Sequence, residues 1–330
     1  MGWPDPRGGP GEEQRSPPAR LSGVGRRRPT SGSGGLGRLT ERWVAPPVAI
    51  LSRLVGRLPL PAARGLGAGL GQAAYWLAGR RRRVALANLH LALGSSVGPR
   101  RRRALARANF RHLGVTAAEC CRLFFGRPGA LLDRLQVEGL EHLKAALAEG
   151  RGVFCLTAHF GNWELLAAAH ALAGLPLSVV VRPLDNPHLE GLLARGRERS
   201  GLRLIPKRRA VVSVGAGLAR GECVGILLDQ NAGRDGVFVP FFGHLASTSR
   251  SLAVLALKTQ APVVPVFVRR LPGGEHLVTL DPALPLVVTG DLERDIVVNT
   301  ACFTETIERH VRAQPEQWFW VHRRWKTRPA

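Results

Sequence analysis

The chain has 330 residues, of which 47 are Lys or Arg and 24 are Asp or Glu, so its formal net charge at pH 7 is +23. Hydrophobic residues make up 45% of the chain, which is enough for a substantial core and excludes a globally disordered or fibrous protein. The excess positive charge predicts anionic partners: nucleic acid, an anionic membrane surface, a phosphorylated substrate or an acidic carrier protein.

The N-terminal part of the chain differs in composition from the rest. Residues 1–40 are rich in Gly, Pro, Ser and Arg, which predicts a disordered basic tail. Residues 1–10 (MGWPDPRGGP) have no apolar core, so we expect no cleavable signal peptide. Residues 41–136 are expected to form a helical, membrane-associated basic region, and residues 137–330 an α/β catalytic core. The total length fits two domains or one large α/β domain with additions.

The basic region contains an apolar part followed by an Arg-rich part. Prolines at positions 46, 47, 59 and 61 are expected to break residues 41–78 into short helices. The segment 65–79 (GLGAGLGQAAYWLAG) is too short to span a membrane, and it is either a buried helix or a membrane-inserted segment. Residues 79–112 hold ten Arg and no Asp or Glu, which predicts paired basic helices that face solvent, lipid headgroups, an acidic carrier or nucleic acid.

From about residue 137 onwards, short apolar strands alternate with helices. Strands are predicted at residues 152–157, 177–182, 223–228, 262–268 and 275–280. Helices are predicted at residues 139–149, 162–173, 187–199, 208–219, 249–259 and 292–312. This alternation predicts an α/β fold with a mostly parallel central sheet flanked by helices.

The cysteines do not follow a known structural pattern. There are five, at positions 120, 121, 155, 223 and 302, and none belongs to a Cys-x-x-Cys motif. An odd number without such spacing predicts neither a disulfide framework nor a metal site, and it favours a reducing compartment. We expect Cys155 and Cys223, inside predicted strands, to be inert core residues.

The sequence that follows the first predicted core strand is TAHFGNWE, residues 157–164. In parallel sheets, ligands bind beyond the carboxyl ends of the strands, so His159 and Glu164 are candidate catalytic residues. With His159 in the turn and Asn162 as N-cap, Glu164 falls in the first helical turn. Its carboxylate could then accept a hydrogen bond from one imidazole nitrogen and leave the other as a base. A capped helix with an incidental His has the same pattern.

The segment AHFGNWE resembles the His-x-x-x-x-Glu signature of the bacterial lipid A late acyltransferases, the lauroyl and myristoyl transferases of the lysophospholipid acyltransferase superfamily. Similar blocks follow the order of that family over residues 42–328. They are RRRRVALANL (80–89), VRPLDNP (181–187), LLDQ (227–230), GVFVPFFG (236–243), APVVPV (261–266) and WFWVHRRWK (318–326).

The resemblance implies a fold like that of the glycerolipid acyltransferases and a specific reaction. A fatty acyl chain would pass from an acyl carrier protein or CoA thioester to a hydroxyl of a lipid A precursor or related glycolipid. His159 would be the general base and Glu164 would orient it. A thioester is already activated, so no metal and no cofactor would be needed beyond the acyl donor as co-substrate.

Other residues receive roles from the same resemblance. Arg182 and Arg197 are expected to bind substrate phosphate, because guanidinium groups bind phosphate oxygens in a planar fork. Asp229, at a strand end, is a third substrate-binding candidate. Three aromatic residues either line an acyl pocket or pack in the core: Phe238, Phe241 and Phe242. The tryptophans of the WFWVHRRWK block lie either at the membrane interface or on the core.

The expected partners are an acidic acyl carrier protein, a phosphorylated glycolipid acceptor and an anionic membrane surface. The expected location is the cytoplasmic face of the inner membrane. One alternative is an acyltransferase for another glycolipid, of the phosphatidylinositol mannoside type. A non-enzymatic nucleic-acid-binding protein would explain the charge but not the His159 turn, and the sequence has no recognisable nucleic-acid motif, so we expect no nucleic acid partner.

Overall fold

A seven-stranded sheet forms the centre of the computed structural model, which describes residues 35–94, 96–181, 186–206 and 210–329. Its strands are β1 (Leu135–Glu138), β2 (Val153–Thr157), β3 (Leu177–Val181), β4 (Leu202–Pro206), β5 (Cys223–Leu227), β8 (Val263–Arg270) and β9 (His276–Leu280). A separate antiparallel hairpin is formed by β6 (Val237–Phe241) and β7 (His244–Thr248).

The strand order is β1-β9-β8-β2-β5-β3-β4. Only β8 and β9 pair antiparallel among these neighbours in the described chain; the other pairs are parallel. The expected mostly parallel α/β sheet is therefore confirmed. The central strands are mostly apolar, as expected where helices cover both faces of a sheet, and β2 is buried along its whole length.

The helices in chain order are α1 (Gly35–Arg57), α2 (Leu60–Leu77), α3 (Gly79–Leu93), α4 (Pro99–Phe125), α5 (Gly129–Leu132), α6 (Leu140–Ala148), α7 (Leu165–Leu172), α8 (Pro187–Arg199), α9 (Ala210–Ala219), α10 (Ser251–Thr259) and α11 (Leu292–Ala313). The predicted pair of basic helices is confirmed as α3 and α4. The predicted breaks at Pro46 and Pro47 are wrong, because α1 continues through both. Pro59 and Pro61 do mark a boundary, at the first turn of α2.

Two other sequence predictions change in the structure. The predicted tail falls mostly on residues 1–34, outside the described residues, and α1 begins at Gly35 within the predicted segment. Strands β1, β4, β6 and β7 were not predicted. β1 is largely exposed and four residues long, and β4 alternates buried and exposed positions and ends in Pro, so neither has the apolar run of a central strand.

Helix α2 packs closely on α4 through glycines. A Cβ atom on Gly67 would lie 2.4 Å from the carbonyl oxygen of Gly114, and one on Gly71 would lie 2.2 Å from that of Phe110. The Gly-rich segment 65–79 thus has a buried side, while Leu70 and Leu77 on α2 are 56% and 85% exposed. Among the described helices, none is both long and apolar enough to cross a membrane.

A buried charge cluster joins α2 and α4 to the sheet. The carboxylate of Glu119 on α4 is fully buried and accepts hydrogen bonds from Arg64 Nε at 2.7 Å, Arg270 Nη2 at 2.6 Å and Asn162 Nδ2 at 2.9 Å. Burial alone would raise the pKa of Glu119, but the hydrogen bond from His276 and the charge of Arg270 lower it well below its usual value. Glu119 therefore stays ionised and fixes the helical region to the core.

The substitution Glu119→Gln should lower the free energy of unfolding by about 3–5 kcal/mol, because it leaves Arg64 and Arg270 largely buried without a countercharge. The matched control is Glu293→Gln, since Glu293 forms an exposed pair with Arg250 and its loss should cost less than about 1 kcal/mol. Denaturant unfolding monitored by circular dichroism measures both. Equal effects of the two substitutions would contradict a structural role for the cluster.

Candidate active site

The candidate site lies where β2 and β5 end. These strands pair in parallel, with Thr157 opposite Leu227, so both carboxyl ends reach the same edge of the sheet. His159 and Asp229 each follow two residues after those positions. The topology therefore brings together two side chains that are 70 residues apart in the sequence.

Asp229 is 3% exposed, and its carboxylate accepts three hydrogen bonds. The imidazole Nδ1 of His159 donates to Oδ1 at 2.8 Å, and the backbone nitrogen of His159 donates to Oδ2 at 3.0 Å. The indole Nε1 of Trp318 donates to Oδ2 at 2.8 Å. The carboxylate thus holds both the backbone and the ring of His159 in one orientation.

The electrostatics of the pair favour charge on both partners. Burial alone would raise the pKa of Asp229, but the charge and hydrogen bonds of His159 and the hydrogen bond from Trp318 lower it to about 2. Burial alone would lower the pKa of His159, but the charge of Asp229 and its hydrogen bond raise it above its usual value. Asp229 is therefore ionised at neutral pH and stabilises an imidazolium.

Because Nδ1 of His159 donates to Asp229, the lone pair of the ring is on Nε2. This Nε2 accepts a hydrogen bond from the side-chain amide nitrogen of Gln230 at 3.3 Å, and the His159 side chain remains 19% exposed. The rings of Trp163 and Phe319 flank the imidazole, with centroids 5.1 Å and 5.9 Å away. The arrangement presents one basic nitrogen at the mouth of the site between aromatic walls.

Glu164 has a different partner from the one that the sequence predicted. Its carboxylate binds Arg197 on α8 in a bidentate pair, with Nε 3.0 Å from Oε2 and Nη2 2.6 Å from Oε1, and it accepts a bond from Trp163 Nε1 at 3.2 Å. The predicted hydrogen bond from His159 to Glu164 is wrong, since Asp229 occupies that place. Asp229 was predicted to bind substrate at the site, and not to be the partner of the imidazole. Its position at the end of a strand next to β2 could have indicated the pairing with His159.

The turn between β2 and α7 depends on two residues. Gly161 has φ +60°, and a Cβ there would lie 1.7 Å from the carbonyl oxygen of Val268, so no other residue fits. Asn162 was predicted as the N-cap of α7, but the helix begins at Leu165 and the Asn162 side chain binds Glu119 instead. The predicted cap is therefore wrong, because the buried cluster uses this amide.

A third support for the turn comes from His112 on α4. Burial, followed by the charge of Arg270, lowers the pKa of His112 to about 3, which keeps the ring neutral. Its Nδ1 accepts from Arg270 at 2.6 Å, and its Nε2 donates to the carbonyl of Gly161 at 3.1 Å. The buried charge cluster thus contacts the turn at the backbone carbonyl of Gly161 and at the side chain of Asn162.

The segment after α11 packs against the same turn. Backbone hydrogen bonds join Phe319 to the His159 carbonyl at 3.0 Å and Gly161 to the Gln317 carbonyl at 3.0 Å. Asn88 on α3 and Asn109 on α4 hold this segment in turn by hydrogen bonds to its carbonyls. The end of β5, helices α3 and α4, and the segment after α11 therefore fix the position of His159.

The tryptophans of the segment dock on the core. Trp318 and Trp320 are at most 1% exposed, and Phe241 contacts the rings of Trp318 and Trp325 with centroids 5.4 Å and 5.6 Å apart. Arg324 is fully buried beneath them, where it donates to the Ser247 carbonyl and to Thr248. Burial lowers the pKa of Arg324 to about 10, while the charge of Asp229 acts in the opposite direction.

The remaining predicted residues have the following places. Phe241 and Phe242 are buried among aromatic rings of the core, whereas Phe238 is half-buried. Their role in an acyl pocket stays a prediction. Arg182 lies outside the described residues.

Comparison with known proteins shows which family the chain resembles. Residues 36–327 match the family described as bacterial lipid A biosynthesis acyltransferase. The chain is 32% identical to a lipid A biosynthesis lauroyltransferase of Escherichia coli K12 over 84% of its own length and 89% of the relative. It is 31% identical to a palmitoleoyltransferase of lipid A biosynthesis from the same organism, over 83% and 88% of the two chains.

A more distant similarity links the chain to a phosphatidylinositol mannoside acyltransferase of Mycolicibacterium smegmatis. The two are 28% identical over 42% of this chain and 47% of the relative. The extent of the family match and the identity to the two Escherichia coli enzymes establish that this chain is an acyltransferase and belongs to the bacterial lipid A biosynthesis acyltransferase family.

Proposed function

We propose that this enzyme transfers a fatty acyl chain from a thioester donor to a hydroxyl of a lipid A precursor or a related glycolipid, with His159 as general base. The observation that carries the proposal is an imidazole whose Nδ1 donates to buried, ionised Asp229, so that its partly exposed Nε2 is the basic nitrogen. The names of the Escherichia coli relatives support a lipid A acceptor.

The reaction would proceed in two proton-transfer steps. Nε2 of His159 takes the proton of the acceptor hydroxyl while its oxygen attacks the thioester carbonyl. The tetrahedral intermediate then expels the thiolate of the donor, which takes the proton from the imidazolium. General-base help of this kind typically accelerates a reaction by about 10²–10⁴-fold. The thioester is already activated, so this chemistry requires neither a metal nor a cofactor.

Asp229 would act as the positioning residue in this mechanism. It orients the ring and stabilises the imidazolium that forms during attack. Glu164 would hold the guanidinium of Arg197 at the side of the site, and Arg197, with Arg182, would bind phosphate of the acceptor.

The substitution His159→Ala should reduce acyl transfer at least about 10²-fold while the fold remains intact, because it removes the base. Purified full-length enzyme in detergent is given acyl-carrier-protein or acyl-CoA donors and lipid acceptors, and products are measured by mass spectrometry. His142→Ala, on α6, is the matched control. Activity of His159→Ala within tenfold of wild type would contradict the mechanism; transfer only to a mannosylated phosphoinositide would favour the alternative acceptor.

The pH dependence tests Asp229. A neutral imidazole is needed, so kcat/KM should fall as pH is lowered through the raised pKa of His159. In Asp229→Asn the pKa of His159 should drop, which moves this acidic limb to lower pH, and the plateau should fall by roughly 10²-fold or more. Glu164→Gln should move the limb less, since Arg197 neutralises Glu164. A larger shift in Glu164→Gln would return the orienting role to Glu164.

We further propose that α1 and α2 attach the enzyme to the cytoplasmic face of the inner membrane. Both helices pack on α4 and carry exposed apolar side chains, and α1 also carries two exposed arginines, Arg53 and Arg57. The exposed apolar residues are Val48, Ile50, Leu51, Leu54, Leu66, Leu70, Trp76 and Leu77. Apolar insertion and attraction to anionic lipid would act together.

The triple substitution of Leu51, Leu54 and Leu77 by Gln should release most of the protein from anionic phosphatidylglycerol vesicles in a flotation assay, because it removes inserted apolar surface. A matched triple substitutes equally exposed residues elsewhere, namely Leu172, Val212 and Val288, and should leave binding unchanged. Equal loss in both variants would contradict attachment through α1 and α2.

We propose that the start of α4 docks an acidic acyl carrier protein. Arg100, Arg101 and Arg103 are exposed, whereas Arg102 donates to loop carbonyls and is structural. Replacing the three exposed arginines by Gln should flatten the salt dependence of kcat/KM for the carrier-bound donor and spare kcat, because steering is screened beyond about 8 Å at 0.15 M salt. Weaker vesicle binding with unchanged donor KM would assign these arginines to lipid instead.

A further inference from the structure

A second cluster of reactive side chains lies in the core, towards the amino ends of the strands that carry the active site. It consists of Cys155 in the middle of β2, Cys223 at the start of β5 and His170 on α7. All three are at most 4% exposed. Their sulfur and nitrogen atoms all lie within 4.8 Å of one another, and the described residues contain no other such group of three.

The imidazole of His170 is oriented towards the two sulfurs. Its Nδ1 donates to the backbone carbonyl of Leu166 at 2.8 Å, so the lone pair is on Nε2. This Nε2 lies 3.6 Å from Sγ of Cys155. A histidine that binds a metal commonly donates its other ring N–H to a backbone carbonyl in this way, which fixes the tautomer and the ring.

The spacing fits a metal ion between the three atoms. With Zn–S about 2.3 Å and Zn–N about 2.0–2.1 Å, a tetrahedral angle separates sulfur and nitrogen by about 3.6 Å. That value equals the distance between Cys155 and His170. The third ligand atom, Sγ of Cys223, lies within 4.8 Å of the other two, so a small movement would bring it to coordination distance.

The chemistry of the three groups selects the kind of ion. Two thiolates and one imidazole are ligands for soft or borderline ions such as Zn²⁺, and not for Mg²⁺ or Ca²⁺, which take oxygen ligands. A divalent ion would balance two thiolates, and a neutral cluster suits a core that excludes water.

One member of the cluster, His170, also lies at a cavity near the surface. His170 lines a cavity of about 270 Å³ together with apolar side chains, among them Val137 and Leu172. These two residues are 43% and 66% exposed, so the cavity reaches the protein surface beside the imidazole. An ion could enter here, and a water molecule could occupy the fourth coordination position that three protein ligands leave open.

We propose that Cys155, His170 and Cys223 form a binding site for a thiophilic divalent metal ion, with zinc as the best fit, separate from the acyl-transfer site. The ion would join β2, β5 and α7 and thereby support the sheet that positions His159 and Asp229. The sequence did not indicate this site, because its two cysteines lie on two neighbouring strands and do not form a Cys-x-x-Cys motif.

The test uses full-length enzyme in detergent, reduced and stripped with a chelator, and titrated with Co²⁺ and then Zn²⁺. We expect saturation at one Co²⁺ per chain with a thiolate-to-cobalt charge-transfer band, which one equivalent of Zn²⁺ removes. The substitutions Cys155→Ala, Cys223→Ala and His170→Ala should each weaken binding at least about 10²-fold. Cys302→Ala, in α11, is the matched control and should bind like wild type.

A second measurement on the unsubstituted enzyme covers variants that fail to fold. Zn²⁺ should slow alkylation of Cys155 and Cys223 at least tenfold, read by peptide mass spectrometry, and leave Cys120, Cys121 and Cys302 unchanged. Absence of saturable Co²⁺ binding, a band that persists in Cys155→Ala, or a Cys155–Cys223 disulfide in the isolated enzyme would each overturn the proposal.

Discussion

The carboxylate of Asp229 is the group on which the arrangement of the site depends. It is buried at the end of one strand and accepts both the backbone and the imidazole hydrogen of His159 at the end of the next. A buried carboxylate is stable only when its oxygens are paired, and here three donors satisfy it. The same contacts that keep Asp229 charged therefore determine which nitrogen of His159 remains basic.

The arginines that give the chain its large positive charge are of two kinds, buried and exposed. Arg64, Arg270 and Arg324 point inward, where they bind Glu119, carbonyl groups or hydroxyls and hold the helical region and the C-terminal segment to the sheet. At the start of α4, Arg100, Arg101 and Arg103 are exposed instead. Net charge alone is thus a poor measure of how much of the surface is available to anionic partners.

Periodicity and strand-end position were sufficient to predict five of the seven strands of the sheet, the helices between them and the location of His159, whereas Asp229 was found through the family resemblance. They were insufficient for the partners of these residues. Glu164 is close to His159 in sequence, yet it pairs with Arg197, 33 residues away, because α8 carries the Arg197 guanidinium to the Glu164 carboxylate. Glu119, His112 and Trp318 were not predicted as supports either, since their contacts join segments that only the folded chain brings together.

The packing of the segment around residues 317–319 on the His159 turn has a consequence for biosynthesis. Residues 317–319, which follow α11, form hydrogen bonds with Asp229, His159 and Gly161. A ribosome that has completed the sheet has therefore not yet completed the site. A chain without this segment would keep every strand of the sheet but would lack the Trp318 hydrogen bond to Asp229 and the backbone hydrogen bonds to the His159 turn.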